Sequence, residues 1–569
     1  MEKKSEDFQP SVNVAKEFKE ISWDFGNPLE IFREAIHNSY DWGATEVKID
    51  VGAEEIDGEK KLVIEITDDG QGMNLNQIRQ NFWDLGNSAS IDEANNIGEK
   101  GHGTKIYLRS EKVEVTTYCE DKCYIASCLN PFKALNNGEV HTVRLKHLPN
   151  TNGYKGTKIR IVGYNLNEKK AFTFDQIKDY LKWFTIVGTV KNEFIELKDE
   201  RLKNFQVFLK SFNEENFKSI SIGHSFPEET KDINSLYDEY GNDAYGMYVR
   251  KFQLSGELEE SPDVHYDIVI YIEGQKAKES INPLLKRRGV RAKVGSYRSQ
   301  DRYGIYLCKD FIPIERKNEW VSGFGGGSNA VLLLHGFINC QDLKLTANRG
   351  TVANTNPKIL RQLQGVVKNF IDEIDVIMYE EGLYELNKII KFEKTKNMEI
   401  AEYRRRQEKI RQKKILKIDG RTYFEPDNEA ELFGFFMSLY SQKPEWFPFE
   451  PIDYNTSTGI DMLAYSKDGG VSVFDSEFYY VELKHILRKS FNHTFNNIRW
   501  LLCWNKDENI RNNSVIHSTA EDSNRNFQIH NEANGEKKYF LDTPSTHIKI
   551  EVIILEEILK SNGFVFEHQ

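Results

Sequence analysis

Several things are missing from this 569-residue chain, and each absence excludes a class of protein. Its six cysteines, Cys119, Cys123, Cys128, Cys308, Cys340 and Cys503, form no Cys-x-x-Cys pair and have no histidines at zinc-ligand spacing. A zinc ribbon and a dithiol redox centre are thereby excluded, and free thiols in cores are expected. No apolar run reaches the length of a membrane span, and the opening Met-Glu-Lys-Lys-Ser-Glu-Asp has no signal-peptide core. The expectation is a soluble, cytoplasmic protein without a membrane partner. A basic surplus is missing too: 76 Lys and Arg stand against 88 Asp and Glu, a net charge of −12. That excludes a uniformly basic DNA-coating surface and confines any nucleic-acid contact to local patches.

What is present is an ordinary globular composition, 39% hydrophobic and 12% aromatic, in a chain too long for one core. Three segments near the N-terminus carry chemistry. In Glu34-Ala35-Ile36-His37-Asn38-Ser39-Tyr40-Asp41, the spacing puts Glu34, Asn38 and Asp41 on one face of a helix. That helix is otherwise apolar through Leu29, Ile31, Phe32, Ala35 and Ile36, so an inward Glu and Asn would be costly without a ligand. Residues 47–51 and 62–67 alternate as paired strands, the second running into Asp68-Asp69-Gly70-Gln71-Gly72-Met73. Asp68 is placed to accept from an adenine amino group, and Gly70 and Gly72 let a base approach closely. Gly98-Glu99-Lys100-Gly101-His102-Gly103-Thr104-Lys105 then offers glycine-rich amides suited to phosphates.

The order and spacing of these segments, completed by Gly156-Thr157-Lys158-Ile159-Arg160-Ile161, resemble the GHKL ATPases, the superfamily of gyrase B subunits, MutL, the ninety-kilodalton heat-shock chaperones and the MORC proteins. The resemblance implies a GHKL (Bergerat) α/β sandwich over residues 1–190 that binds ATP with Mg2+. It implies Glu34 as the general base, Asn38 as the magnesium ligand with Asp41 on the same face, and Asp68 as the adenine acceptor. Gly70, Gly72 and Met73 would form the turn beside the base, and Thr157 would stand next to Asp68. Gly98, Lys100, Gly101, His102, Gly103 and Thr104 would wrap the phosphates. Gly101 to Lys105 look closest to MORC, which makes Lys105 a candidate phosphate contact. His37 departs from the acid often found there, and residues 74–97, with Asn87, Ser88 and Ser90, would form a lid.

Residues 191–355 fit the S5-like α/β transducer that such ATPases carry, with strands at 266–272 and 304–308. In Asp342 to Gly350 the segment resembles the chaperone motif whose arginine reaches ATP, making Arg349 the sensor; the alternative is a surface arginine in a turn. Gly323 to Ser328 lacks the lysine of a P-loop. From Lys286 to Arg302 run seven basic residues with one acid, Asp301. Either they neutralise DNA phosphates or they form a solvated loop. Residues 356–418 read as a helical connector, and within it 391–417 hold eleven Lys and Arg against four Glu. It suits a coiled arm, a DNA-facing helix or a spacer. Asp419-Gly420 marks the next boundary.

The last segment, 419–569, holds a second constellation. Gly459 to Tyr465 reads as a strand bearing an acid, Asp461, and Glu482 and Lys484 lie two apart in Phe478 to Lys484, hence on one face. Two carboxylates and an ammonium suit metal-assisted phosphodiester hydrolysis, with Asp461 and Glu482 on the metal and Lys484 orienting the nucleophile. This resembles the PD-(D/E)XK nuclease core, which implies an acid on the upstream helix, Glu431 or Glu429, a second helix over 491–497, and a buried strand at 500–504. The whole is read as an α+β multidomain, ATP-gated DNA nuclease forming an ATP-dependent homodimer. In a prokaryote the pairing suggests defence against foreign DNA, with a neighbouring defence protein as a possible partner. The alternatives are a MORC-like DNA clamp with a non-catalytic C-terminal domain and a chaperone-like ATPase.

Overall fold

The computed structural model of the protein describes residue 9 and residues 12–85, 103–194, 200–230, 232–321, 323–324, 330–346, 350–455, 460–467, 477–496, 498–533, 535–544 and 548–568. It forms a mixed α/β architecture in two compact units, Met1–Lys394 and Thr395–Gln569.

The first unit begins with helix Val14–Trp23 and helix Glu30–Asp41; the second buries Ile31, Phe32, Ala35 and Ile36, as its apolar spacing requires. These residues join a core with a sheet that among the described residues has eight strands, in the order β5-β4-β3-β6-β2-β1-β7-β8. The strands are β1 (Glu46–Ile56), β2 (Glu59–Asp68), β3 (Lys112–Cys119), β4 (Lys122–Leu129), β5 (Val143–Pro149), β6 (Gly156–Val162), β7 (Gln206–Lys210) and β8 (Lys218–Ile220). β1 and β2 pair antiparallel from Val47↔Asp68 to Ile56↔Glu59. Val47, Ile49, Val51, Leu62, Ile64 and Ile66 are each at most 2% exposed. A slip of either strand by one residue would turn its three outward, at roughly 1.5–3 kcal/mol each, so burial holds the register that places Asp68. The sheet passes the boundary expected at 190. β7 lies parallel to β1, and the fully buried Val207 and Leu209 extend the same core.

A second sheet in this unit has the order β12-β11-β13-β10-β9, from β9 (Val249–Leu258), β10 (Ser261–Glu273), β11 (Gly304–Lys309), β12 (Ile312–Arg316) and β13 (Leu334–Asn339). Helix Pro357–Glu380 packs into its core through Leu363, Val367, Phe370, Ile371, Ile374 and Met378. The first half of the expected connector is therefore core, not spacer. Among the aromatic rings of this sheet runs a buried polar chain. His335 Nδ1 lies 2.9 Å from Glu273 Oε1, His335 Nε2 lies 2.9 Å from His224 Nε2, and His224 Nδ1 lies 2.8 Å from the Lys182 carbonyl.

In the second unit β14 (Ile415–Ile418) and β15 (Arg421–Phe424) form a hairpin. Asp419 and Gly420, expected at a domain boundary, are its turn, with φ of 46° and 82°. Helix Glu429–Tyr440 follows. Among the described residues the sheet has nine strands in the order β16-β17-β18-β20-β24-β23-β22-β21-β19. They are β16 (Phe449–Tyr454), β17 (Met462–Ser466), β18 (Phe478–Leu487), β19 (Ser490–Phe491), β20 (Ile498–Lys506), β21 (Ser514–Ser518), β22 (Ser523–Asn531), β23 (Lys537–Asp542) and β24 (Ile550–Ile554). β17 runs antiparallel to β18, while β18, β20 and β24 are mutually parallel. The helix expected over 491–497 does not form among the described residues: Phe491 ends β19 and 492–496 are irregular. Phe491 and Phe495 mimic a helical repeat, but they stack at 5.2 Å and 8° in the core instead. The Asn, His and Thr between them are weak helix formers. Five of the six cysteines are buried, Cys119 is half-buried, and all are free thiols.

Candidate functional site

Helix Glu30–Asp41 and the β2 turn build the first site. Glu34 is buried, Asn38 and Asp41 half-buried, all on the helix face that their spacing predicted. Arg33 donates from Nε to Glu34 Oε1 at 3.3 Å and from Nη2 to Glu30 Oε2 at 2.8 Å. The opposite oxygen of Glu34 faces Gly103, where a Cβ would lie 1.8 Å from Oε2. Only a glycine leaves room there. The Asn38 side chain has no hydrogen-bond partner among the described residues, so its amide oxygen is available to a cation.

Asp68 closes β2 and is half-buried at the end of the strand. Its Oδ1 accepts from Gly70 N at 2.9 Å and Thr157 N at 3.2 Å, and its Oδ2 from Ser39 Oγ at 3.2 Å. Burial raises its pKa while these donors pull it back down. Its neighbour Asp69 is structural, accepting from Thr45 N at 2.7 Å and Glu46 N at 2.8 Å. Two glycines shape the wall. Gly72 has φ 70° and Gly156 φ 92°, and a Cβ on either would lie 1.9 Å from a backbone carbonyl, of Tyr118 and Asp68 respectively. Met73 N donates to Thr117 Oγ1 at 2.8 Å, and Thr117 Oγ1 meets Thr157 Oγ1 at 3.0 Å. The donors and shape fit a purine beside Asp68, and the Asn38 amide fits a magnesium ion. Sequence reasoning passed over Ser39, which lies inside its own motif, and Thr117, whose position on β3 leaves no local signal.

Gly98, Lys100, Gly101 and His102, the lid residues Asn87, Ser88 and Ser90, and Arg349 lie outside the described residues. Thr104 and Lys105 are described and point inward. Thr104 Oγ1 donates to the Phe82 carbonyl at 2.7 Å, and Lys105 Nζ donates to the same carbonyl at 3.0 Å. Lys105, expected at the phosphates, is 1% exposed here, and burial lowers its pKa to about 7.

The second site lies in the other unit, at β17 and β18. Asp461 Oδ2 accepts from Leu483 N at 2.9 Å, which brings it beside Glu482 across the strand pair. Glu482 is fully buried; Oε1 accepts from Lys484 Nζ at 2.5 Å and lies 3.2 Å from His493 Nε2. Glu482 Oε2 is buried without a partner among the described residues. Burial pushes the Glu482 carboxyl up to about 7 and raises that of Asp461. The upstream helix contributes Glu429, 3.7 Å from Lys484 Nζ. Glu431 does not join them. It is held by the Lys413 ammonium and accepts from Asp427 N at 2.8 Å, because two residues along a helix turn the side chain away. A groove of about 360 Å³ opens here, lined by Glu429, Lys484, Arg488 and Asn492 among others. No group of three or more His, Cys, Asp or Glu side chains converges as a metal site among the described residues. Magnesium needs fewer, taking one or two carboxylates and completing its shell with water and phosphate. Asp461 and the orphaned Glu482 oxygen fit that requirement.

No helix among the described residues is long and apolar enough to cross a membrane. No curated protein matches the chain. A solved structure titled "Crystal Structure of N terminal domain of a DNA repair protein" is similar at 14% identity, over 63% of this chain and 98% of that one, with a TM-score of 0.36. Residues 29–151 match the family described as histidine kinase-, DNA gyrase B-, and HSP90-like ATPase. That span contains Glu34, Asn38, Asp68 and Gly103, and it is a GHKL-type ATPase domain, which implies binding of ATP with its usual Mg2+.

Proposed function

We propose that the protein is an ATP-gated DNA nuclease, in which Mg-ATP at the first site controls a metal-dependent phosphodiesterase at the second. The observation that carries the nuclease half is the buried, unpartnered Glu482 Oε2 beside Asp461, with Lys484 on the same carboxylate. A buried carboxylate oxygen left without a partner costs about 1–3 kcal/mol or more, a cost that a bound cation would remove.

At the first site Glu34 takes a proton from the attacking water, with Arg33 and Gly103 holding its carboxylate in place. Asp68 orients adenine, and Asn38 holds the magnesium that accompanies ATP. Glycines between 98 and 103, Thr104 and Arg349 are assigned to the phosphates, and Lys105 joins them only by leaving the Phe82 carbonyl. Nucleotide would favour a homodimer of these modules, as in the ATPases they resemble. At the second site Asp461 and Glu482 would hold a magnesium ion, which supplies Lewis-acid stabilisation of charge on phosphorus and a more acidic water. Lys484 orients the nucleophile and Glu429 keeps the ammonium in position. Paired sites in a dimer suit double-strand cleavage, and in a prokaryote the combination of an ATPase with a nuclease domain suits defence against foreign DNA.

A second reading, a DNA clamp whose C-terminal unit only binds, is favoured by two facts: Lys484 already satisfies Glu482 Oε1, and no three-ligand metal group forms among the described residues. Plasmid cleavage with magnesium separates the two, compared without nucleotide, with ATP and with a non-hydrolysable analogue, beside Lys484→Ala. Nucleotide-dependent cleavage that vanishes in the variant supports the nuclease. Binding without cleavage in every lane supports the clamp.

A further inference from the structure

The loop between Leu285 and Tyr297 is a strongly basic feature that neither site uses. Residues 286–298 contain six Lys and Arg and no acid, in a chain whose net charge is −12. The loop is pinned at its base. Lys286 N donates to the Tyr297 carbonyl at 2.8 Å and Tyr297 N to the Leu284 carbonyl at 3.1 Å. Its second half leans on helix Phe174–Phe184 of the ATPase region. Lys293 pairs with Asp175 at 2.9 Å, the Tyr297 hydroxyl donates to Asp179 at 2.6 Å, and Gly295 packs so closely on Gln176 that a Cβ would lie 2.4 Å from it. Arg302, the last cation of the basic run, is consumed structurally by Asp179 at 3.1 Å.

The remaining cations face outward. Arg287 is exposed and donates to the Glu279 carbonyl; Lys286, Arg288, Arg291 and Arg298 are exposed, and among the described residues none of these four has a carboxylate within ion-pair distance. A groove of about 270 Å³ is lined by Lys286, Arg287, Arg291 and Lys293 and edged by Val290, which is 62% exposed. Holding several like charges on one pinned loop is unfavourable unless a polyanion compensates. A flexible basic tail would scatter its charges; this loop presents them at fixed positions.

We propose that residues 286–298 form a phosphate-backbone contact for duplex DNA. The proposal deepens the reading above and rests only on its choice of DNA as partner. Contacts of this kind position a duplex without reading its sequence.

The test uses the full chain carrying Lys484→Ala, in EDTA and without nucleotide, so that neither hydrolysis nor cleavage enters. Binding of a fluorescent 30-base-pair duplex is measured against salt. Replacing Lys286, Arg288, Arg291 and Arg298 by alanine should make the slope of log K against log salt shallower by about 3.6, since each phosphate contact contributes close to 0.9. Exchanging the three arginines for lysine should retain the slope, which separates charge from folding. A slope unchanged by the alanine substitutions overturns the loop and leaves DNA as partner in place. No duplex binding by the parent overturns both.

Discussion

The backbone of Gly103 lies directly against the Glu34 carboxylate, so close that a methyl group at Gly103 would sit 1.8 Å from Oε2. One glycine thus sets the position of the carboxylate that would activate water. Gly103→Ala should fold and bind ATP while losing hydrolysis, because the new Cβ pushes the acid off its line. Glu34→Ala should bind ATP and hydrolyse roughly 10²–10⁴-fold more slowly, the usual worth of a general base. Steady-state turnover beside calorimetric ATP binding checks both, and normal turnover in either variant removes Glu34 from the role.

Asp68 and Thr117 make a separable pair of tests at the base pocket. Asp68→Asn should abolish ATP binding, since the amide presents a donor where the adenine amino group must donate. Thr117→Val leaves Met73 N and Thr157 Oγ1 without their partner. It should weaken nucleotide by about 1–3 kcal/mol, the cost of an unpaired buried polar group. Retained ATP affinity in Asp68→Asn would put the base elsewhere.

On the helix before the second site, two acids two residues apart should behave differently. Glu429→Gln removes a carboxylate from Lys484 and should lower cleavage at least tenfold. Glu431→Gln weakens the contacts to Lys413, Lys409 and Asp427, at less than about 1 kcal/mol of stability for a partly exposed pair, and should leave cleavage intact. Parallel cleavage rates and melting curves decide it; the reverse pattern would restore Glu431 as the helix acid.

The buried chain through His335 has a fixed hydrogen count. The Lys182 carbonyl only accepts, so His224 Nδ1 carries a hydrogen, and burial keeps both imidazoles neutral. His335 Nε2 must then donate to His224, His335 Nδ1 accepts, and Glu273 must be the protonated donor. Burial does raise the Glu273 carboxyl, to about 8. Its folded pKa lies above the unfolded value, so its contribution is complete below about pH 4.5 and is lost as pH rises through 8. Glu273→Gln donates in the same way without titrating. Its Tm relative to the parent should therefore climb between pH 5 and 8, whereas Glu273→Ala, which strands His335 Nδ1, should be destabilised at every pH by about 1–3 kcal/mol. A parent and Gln variant with parallel Tm profiles would show that Glu273 does not titrate in that window.

What the sequence by itself determined lies within a few residues along the chain. The helix over Glu30–Asp41, its polar face, the β1 and β2 alternation, the turn after Asp68 and the shared face of Glu482 and Lys484 all follow from periods of 3.6 and 2. What only the tertiary structure decided depends on contacts far apart in sequence. It selected Glu429 over Glu431, brought His493 to Glu482 and Thr117 to Met73, returned β7 to the first sheet, and turned Lys105 onto the Phe82 carbonyl. It also overrode the i, i+4 spacing of Phe491 and Phe495, stacking the rings where a helix was expected. The physical reason is common to these cases. Local pattern says which side of its own element a side chain occupies, but which partner it meets is settled by burying apolar surface between elements, and that depends on the whole packed core.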